Sequence, residues 1–218
     1  MIRTVTPAPQ RALFVLAALA GVVVLVLGAA HAGEPEAGRL DGWVPLAEGR
    51  WLTVAMAFDR TGDPRPAAVL LALLAAGCLV GGSRRLAVLA VAGPAVAVGA
   101  TMVLKPIVDR TIHGLDNLAY PSGHTALGTA VGFVLALLLF GGPGHRTAAG
   151  AAAPVLTAAV AAGTAMGWAQ VALGSHYETD AVGGICVALA VLPAVAWLVD
   201  QRPSPLRTGR LTVLARSG

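Results

Sequence analysis

Charged side chains are scarce in this chain of 218 residues, of which 12% are charged and 56% are hydrophobic. A soluble domain has about 25% charged residues, because its surface must face water. The charges are also missing from whole stretches, and the mean hydropathy is +0.76. The composition therefore excludes an ordinary soluble domain and indicates a protein that is integral in the membrane.

Lysine and cysteine are nearly absent. Lys105 is the only lysine, so every other cationic side chain is an arginine or a protonated histidine. The two cysteines, Cys78 and Cys186, fall at opposite depths of their apolar stretches, which argues against a disulfide between them. Both are interpreted as small buried apolar residues.

Six apolar stretches are long enough, or nearly so, to cross a bilayer. Helix is the required form, because an open strand would leave backbone groups unpaired in lipid. The stretches cover residues 12–31, 66–83, 86–104, 124–141, 148–169 and 180–199. The sequence therefore predicts an all-α polytopic membrane protein with six transmembrane helices. One domain is expected over residues 1–200, followed by a basic tail over residues 201–218.

Basic residues are unequally divided between the two ends of these helices. With the N-terminus inside, the inner segments carry nine arginines against Asp200 alone, whereas the outer segments carry six basic residues against ten carboxylates. Because positive charge favours the cytoplasmic side, both termini and the tail are predicted to be cytoplasmic. The basic isoelectric point then reflects topology, and no nucleic-acid partner is expected. The arginine-rich, lysine-poor composition favours a bacterial plasma (inner) membrane.

Two apolar pieces in the first third of the chain need separate interpretation. The first stretch ends in Ala30-His-Ala32, which resembles a signal-peptidase site, but it is longer than a typical signal h-region. An uncleaved first span is therefore favoured. Further on, Trp51–Phe58 is too short to span and is predicted to be an interfacial helix.

Polar residues return in three clusters, each at the outer end of an apolar stretch. They are Lys105-Pro-Ile-Val-Asp-Arg110, Ala119-Tyr-Pro-Ser-Gly-His-Thr125 and Gly174-Ser-His-Tyr-Glu-Thr-Asp180. A lone lysine at a helix end often only snorkels to the interface, but a second cation five residues on favours an anion site. Because topology places the three clusters on one face, one active site is predicted at the outer ends of helices 3–6.

The second cluster predicts an anion site at the start of a helix. Ser122 is a good helix cap, and Gly123 lets a ligand approach the backbone. The first-turn N–H groups and the helix dipole attract negative charge. His124 lies in that turn and can reach a phosphate, which an ordinary Pro-Ser helix start would not need.

The third cluster pairs a histidine with a carboxylate. In a helical turn, His176 and Asp180 would be i and i+4 on one face. A carboxylate on one imidazole nitrogen fixes the tautomer and leaves the other nitrogen free to attack. Such pairs also occur as ordinary helix caps. The pair therefore indicates an active site only in combination with the other two clusters.

In this order, the three motifs resemble the signature of the type-2 phosphatidic acid phosphatase and vanadium haloperoxidase superfamily, in its bacterial membrane lipid phosphatase branch. The resemblance covers about residues 100–190 and implies phosphate removal with no metal and no other cofactor. It implies that His176 attacks phosphorus to give a phosphohistidine, that Asp180 orients it, and that His124 protonates the leaving oxygen. The residues that would bind the substrate phosphate are Lys105, Arg110, Ser122, Gly123 and Gln170.

The chain departs from the family pattern at two positions. The family usually has an arginine seven residues after the first-motif lysine, where this chain has Ile112, so Arg110 must serve instead. It also has an arginine six residues before the nucleophilic histidine, where this chain has the uncharged Gln170. Losing one arginine–phosphate contact costs about 2–4 kcal/mol of transition-state stabilisation. The two departures therefore bear on the reaction rate and the identity of the substrate more than on the class of enzyme.

The leading hypothesis is a phosphatase that acts at the outer leaflet on a membrane lipid substrate. The candidates are an isoprenoid diphosphate, phosphatidate and phosphatidylglycerol phosphate, and phosphoryl transfer to another acceptor is a related option. One alternative is a non-catalytic lipid-phosphate-binding or transport relative of the same fold. Another is a metalloenzyme, although the spacing of its candidate ligands fits no metal motif. Those ligands would be His113, His124 and His176 with Asp109 or Asp116.

Overall fold

The computed structural model describes residues 7–114, 117–140 and 148–201, and these residues form seven helices with no strand. The helices are α1 (Pro7–Ala30), α2 (Gly49–Gly62), α3 (Pro64–Val80), α4 (Arg84–Val108), α5 (Gly123–Phe140), α6 (Ala148–Ala172) and α7 (Glu178–Gln201). Five of them, namely α1, α4, α5, α6 and α7, are long and apolar enough to cross a membrane, and a sixth span results if α2 and α3 form one broken span. The predicted all-α polytopic fold is confirmed. The predicted tail beyond residue 201 lies outside the described residues.

The predicted interfacial helix and the predicted second span meet at a sharp bend. α2 is longer than the predicted piece Trp51–Phe58, and α3 follows it at an angle of 73°. Pro64 occupies the first turn of α3, where a missing N–H costs nothing. With its 17 residues, α3 is at the short end of the range for a span.

Two helices continue past their apolar stretches into the polar clusters. α4 extends to Val108, so that Lys105 lies in its last turn, and α6 extends to Ala172 and carries Gln170. α4 ends where Asp109 adopts a left-handed conformation with φ 55° and its N–H bonds the carbonyl oxygen of Lys105. Lys105 and Gln170 are therefore held on helix ends rather than on free loops.

Small residues let α5, α6 and α7 approach each other closely. A Cβ added at Gly163 would lie 2.1 Å from Thr129 Oγ1, and one added at Gly184 would lie 2.4 Å from the backbone oxygen of Ser122. Close packing over small residues is typical of helices in membranes. It places the beginning of α7 directly against the beginning of α5.

The polar clusters meet at one end of the bundle, which we call the site end. It is formed by the last turns of α4 and α6 and the first turns of α5 and α7. The backbone N–H of Ser122 donates to the carbonyl oxygen of Asp180 at 3.0 Å, and the N–H of Ala119 donates to that of Arg110 at 2.7 Å. These four helices are the predicted helices 3–6, so the three clusters come together as the sequence predicts.

The segment between α1 and α2 covers the same end. The N–H of Gly33 donates to the carbonyl oxygen of Val108 at 2.9 Å, and the N–H of Ala47 donates to that of Ala172 at 2.8 Å. Residues 31–48 and α2 therefore lie over the ends of α4 and α6. They contribute contacts at the site end from residues outside the three polar clusters.

Candidate active site

His176 and Asp180 form a pair across the start of α7. Nδ1 of His176 lies 3.6 Å from Asp180 Oδ2, and the backbone N–H of Tyr177 donates to the same oxygen at 2.9 Å. Since α7 begins at Glu178, His176 precedes the helix, which corrects the prediction of a pair on one helical face. Because Nδ1 faces Asp180, Nε2 is the imidazole nitrogen that is available to react with a substrate.

Arg110 lies between two carboxylates in the loop after α4. Its Nη1 donates to Asp180 Oδ1 at 2.8 Å and its Nη2 to Asp41 Oδ2 at 2.7 Å, and all three side chains are 0% exposed. Nη1 also contacts Thr179 Oγ1 at 2.6 Å, and the ring of Tyr177 lies 4.4 Å from the guanidinium carbon. The sequence predicts that Arg110 contacts phosphate, and in the structure its guanidinium has carboxylate and hydroxyl partners beneath residues 31–48.

Asp41 is a buried member of this network that the sequence analysis missed. Its Oδ1 accepts the backbone N–H of Thr179 at 2.9 Å and the hydroxyl of Thr179 at 2.8 Å, and its Oδ2 accepts the N–H of Gly38 at 2.8 Å. Burial raises the pKa of Asp41, but the hydrogen bonds from Thr179, Arg110 and Gly38 outweigh it, so the pKa lies below its ordinary value of 3.8. Asp41 lies in a long segment without a motif, so no pattern in the sequence indicates this role.

Glu178 anchors the same segment to α7. Its carboxylate accepts three successive backbone N–H groups, from Gly42 at 2.9 Å, Trp43 at 2.7 Å and Val44 at 2.8 Å. Charge-assisted hydrogen bonds of this kind are stronger than neutral ones. The loop that supplies Asp41 is therefore held in place next to the candidate nucleophile.

The start of α5 has the cap that the sequence predicts. Ser122 is buried, and its Oγ accepts the backbone N–H of Thr125 at 3.4 Å and the hydroxyl of Thr125 at 3.0 Å. A Cβ added at Gly123 would lie 3.3 Å from Thr101 Oγ1, so a larger residue would crowd α4. This helix start presents backbone N–H groups at the site end.

His124 contacts a carboxylate that the sequence analysis also missed. Nε2 of His124 lies 3.8 Å from Asp59 Oδ1, and the two side chains are 30% and 36% exposed. Gln170 is 2% exposed, and its Nε2 donates to the same Asp59 oxygen at 2.8 Å. The only signal for Asp59 in the sequence is an acid at the end of the predicted interfacial helix, on the face that carries the three clusters.

Lys105 lies beside the loop that joins α4 to α5. Its Nζ donates to the backbone oxygen of Leu118 and, at 3.4 Å, to that of Ala119. The backbone N–H of Ser122, two residues before His124, donates to the carbonyl oxygen of Asp180 at 3.0 Å, and Asp180 faces His176. The structure therefore brings together the lysine, both histidines and the aspartate of the three predicted clusters.

The alternative metal ligands do not converge in the part of the chain that is described. His113 Nε2 donates to the carbonyl oxygen of Gly174 at 2.7 Å. Within residues 7–114, 117–140 and 148–201, no group of three His, Cys, Asp or Glu side chains is placed to hold a metal ion. Asp116 lies outside these residues.

The fold and the site together define a multi-pass helical membrane protein with a histidine–aspartate pair, a second histidine in the first turn of one helix and a lysine in the last turn of another. The family model of the PAP2 superfamily matches residues 59–204, which is more than half of the chain. The chain therefore belongs to the PAP2 superfamily, whose members are phosphatases, and the resemblance of the motifs to this superfamily is confirmed. No curated protein and no solved structure matches the chain.

Proposed function

We propose that the protein is a metal-independent membrane phosphatase that hydrolyses a lipid phosphate or diphosphate through a phosphohistidine intermediate. The observation that carries this proposal is the convergence of His176, which faces Asp180, and His124 at the site end, where the N–H of Ser122 donates to the carbonyl oxygen of Asp180. The substrate candidates remain an isoprenoid diphosphate, phosphatidate and phosphatidylglycerol phosphate. The apolar helices support a lipid substrate, because the acyl or isoprenoid chains can stay in the bilayer while the phosphate group reaches the site.

In the first step, Nε2 of His176 attacks phosphorus and the bond from phosphorus to the leaving oxygen breaks. Protonated His124 gives its proton to that oxygen, so that the lipid leaves as a neutral alcohol, or as a monophosphate from a diphosphate. Asp180, whose Oδ2 lies 3.6 Å from Nδ1, stabilises the positive charge that develops on His176. The products are phosphohistidine at residue 176, neutral His124 and the released lipid.

In the second step, water attacks the phosphohistidine. Neutral His124 accepts a proton from the water as the bond between phosphorus and Nε2 of His176 breaks. Inorganic phosphate is released and both histidines return to their starting states. The two proposed steps involve no change of oxidation state and require no metal.

The phosphate oxygens would be held by Lys105 and by the N-terminus of α5 around Ser122 and Gly123. Arg110 takes a different role in this proposal. Because its guanidinium pairs with Asp41 and Asp180, it acts through Asp180 on the nucleophile.

The unequal charge of the two helix ends supports a site at the outer leaflet, with both termini in the cytoplasm. Single cysteines test this orientation in a background where Cys78 and Cys186 are alanine. An impermeant maleimide added to intact cells should label Arg60→Cys but not Arg84→Cys. Labelling of position 84 alone would place the site on the cytoplasmic side.

Phosphate release tests the activity itself. Purified protein in detergent with EDTA should release phosphate from at least one of the three candidate lipids. A labelled substrate should leave an acid-labile, base-stable phosphoprotein that His176→Ala does not form. Activity that EDTA abolishes and zinc restores would support the metal alternative. Lipid binding without any release would support a binder or transporter.

A further inference from the structure

We propose that Asp59 is a positioning residue for His124 and that Gln170 holds Asp59 in that role. This inference rests on the proposed function, since it concerns the histidine that protonates the leaving oxygen. It makes α2, which lies outside the three motifs, a part of the active site.

One oxygen atom joins the three side chains. Asp59 Oδ1 accepts a hydrogen bond from Gln170 Nε2 at 2.8 Å and lies 3.8 Å from His124 Nε2. That imidazole nitrogen is buried and has no hydrogen-bond partner among the residues that the structure describes. A small closing movement would bring it into hydrogen-bond range of Asp59, which would orient the ring and favour its protonated form.

The end of α2 packs directly on the imidazole. A Cβ added at Gly62 would lie 1.9 Å from His124 Cδ2 and 2.7 Å from Nε2. Only a glycine at position 62 lets the helix approach this closely. The same approach brings Asp59, one turn earlier, to the ring edge.

A neutral side chain at position 170 suits this arrangement. Gln170 is 2% exposed and can give Asp59 a hydrogen bond without neutralising it. An arginine at that position would form a bidentate ion pair with Asp59 and draw the carboxylate away from His124. The departure from the family pattern at Gln170 is therefore coupled to the presence of Asp59.

The other charged or titratable groups that act on His124 are Asp63, Lys105 and His176. Asp63 lies at the bend between α2 and α3, is exposed, and makes no side-chain cap hydrogen bond. Asp63→Asn is therefore the matched control for Asp59→Asn, because both changes remove one negative charge from the same end of α2.

The test compares two substrates of similar size, p-nitrophenyl phosphate with a good leaving group and p-nitrobenzyl phosphate with a poor one. A general acid contributes roughly 10²–10⁴-fold, and mainly where the leaving group needs a proton. Asp59→Asn should lower kcat for the benzyl ester about 10- to 100-fold and for the phenyl ester about threefold or less. His124→Asn should show the same selectivity more strongly, and Asp63→Asn should change both rates little.

A coupled pair of variants tests the role of Gln170. Gln170→Arg alone should show the same leaving-group selectivity as Asp59→Asn, because the new arginine captures Asp59. In the double variant with Asp59→Asn, the arginine is released toward the phosphate, so inorganic phosphate should inhibit more tightly than in either single variant. Equal phosphate inhibition in all four proteins would overturn the coupling.

Two kinetic outcomes would overturn the role of Asp59 while leaving the phosphatase proposal intact. In one, Asp59→Asn slows both esters equally, which indicates a merely structural effect. In the other, it speeds both, which indicates that Asp59 blocks the phosphate site. A wild-type protein that hydrolyses neither the esters nor any candidate lipid would instead overturn the proposed function.

The proposed contact between Asp59 and His124 can also be tested by NMR, without measuring activity. In protein labelled with ¹⁵N at histidine, Asp59→Asn should move the ring nitrogen signals of His124, identified by their loss in His124→Asn, and leave those of His176 in place. Signals that move no more in Asp59→Asn than in Asp63→Asn would overturn the proposed contact, whatever the activity.

Discussion

The two histidines of the site lie in opposite surroundings. His176 faces a closed network in which Asp180, Arg110 and Asp41 are all 0% exposed. His124 faces Asp59 across a half-open contact, with side chains that are 30% and 36% exposed. One region is enclosed and rich in paired charges, whereas the other has partly exposed side chains around a buried imidazole nitrogen.

This difference matches what each histidine would have to do. A nucleophile gains from a fixed orientation, and a buried carboxylate held by an arginine supplies it. A general acid must meet leaving groups that arrive from outside, so its surroundings need access. The contrast assigns rigidity to the His176 region and adaptability to the His124 region, and four predictions test it.

Replacement of the proposed nucleophile should have the largest effect. His176→Ala should lower turnover by more than about 10³-fold, because no other side chain can form the covalent intermediate. The protein should remain folded, since Nδ1 of His176 has no hydrogen-bond partner within the described part of the chain. Phosphate release and thermal unfolding in detergent measure the two effects. Turnover of more than a few per cent of wild type would contradict the assignment.

Arg110 should matter next, through stability and kcat together. Arg110→Leu leaves Asp41 and Asp180 buried without their cation, which costs about 3–5 kcal/mol of unfolding free energy. The double variant with Asp41→Asn should recover part of this loss, because one unpaired charge is removed. Denaturant unfolding in detergent measures the unfolding free energies of the single and the double variant.

The kinetics of Arg110→Leu separate the two roles of this residue. A positioning role predicts a fall in kcat with little change in inhibition by inorganic phosphate. Weaker phosphate inhibition with unchanged unfolding free energy would instead show that Arg110 binds phosphate directly, as the sequence predicts.

Lys105 should affect phosphate affinity rather than the framework. Lys105→Met should weaken inhibition by inorganic phosphate about ten- to hundredfold, because a hydrogen bond to a charged group contributes about 1.5–3 kcal/mol. Arg39→Met is the control, since it removes a cation from an exposed position in the loop over the site end. Equal effects of the two changes would indicate a general electrostatic contribution.

The smallest effect concerns acid stability. The pKa of Asp41 is lowered in the folded protein, so its contribution is complete above the ordinary value of 3.8 and is lost as the pH falls below it. Wild type should therefore lose more unfolding free energy than Asp41→Asn between about pH 5 and about pH 3. Thermal unfolding across this range measures the difference, and parallel curves would contradict the role of Asp41.

Local patterns predicted much of this protein. The apolar stretches predict the helices, because a chain in lipid must pair its backbone groups within each segment. Ser122 caps α5 through Thr125, three residues away, and His176 meets Asp180, four residues away. Interactions of such short range follow from residue order alone.

Only the tertiary structure decided the partners of the polar side chains. Arg110 pairs with Asp41, which is 69 residues away, and Gln170 bonds Asp59, which is 111 residues away. These contacts depend on how the loop over the site end and the bend between α2 and α3 fold onto the helix ends. Hydrophobic periodicity reports which face of a segment is apolar, but it carries no information about which distant polar side chains meet.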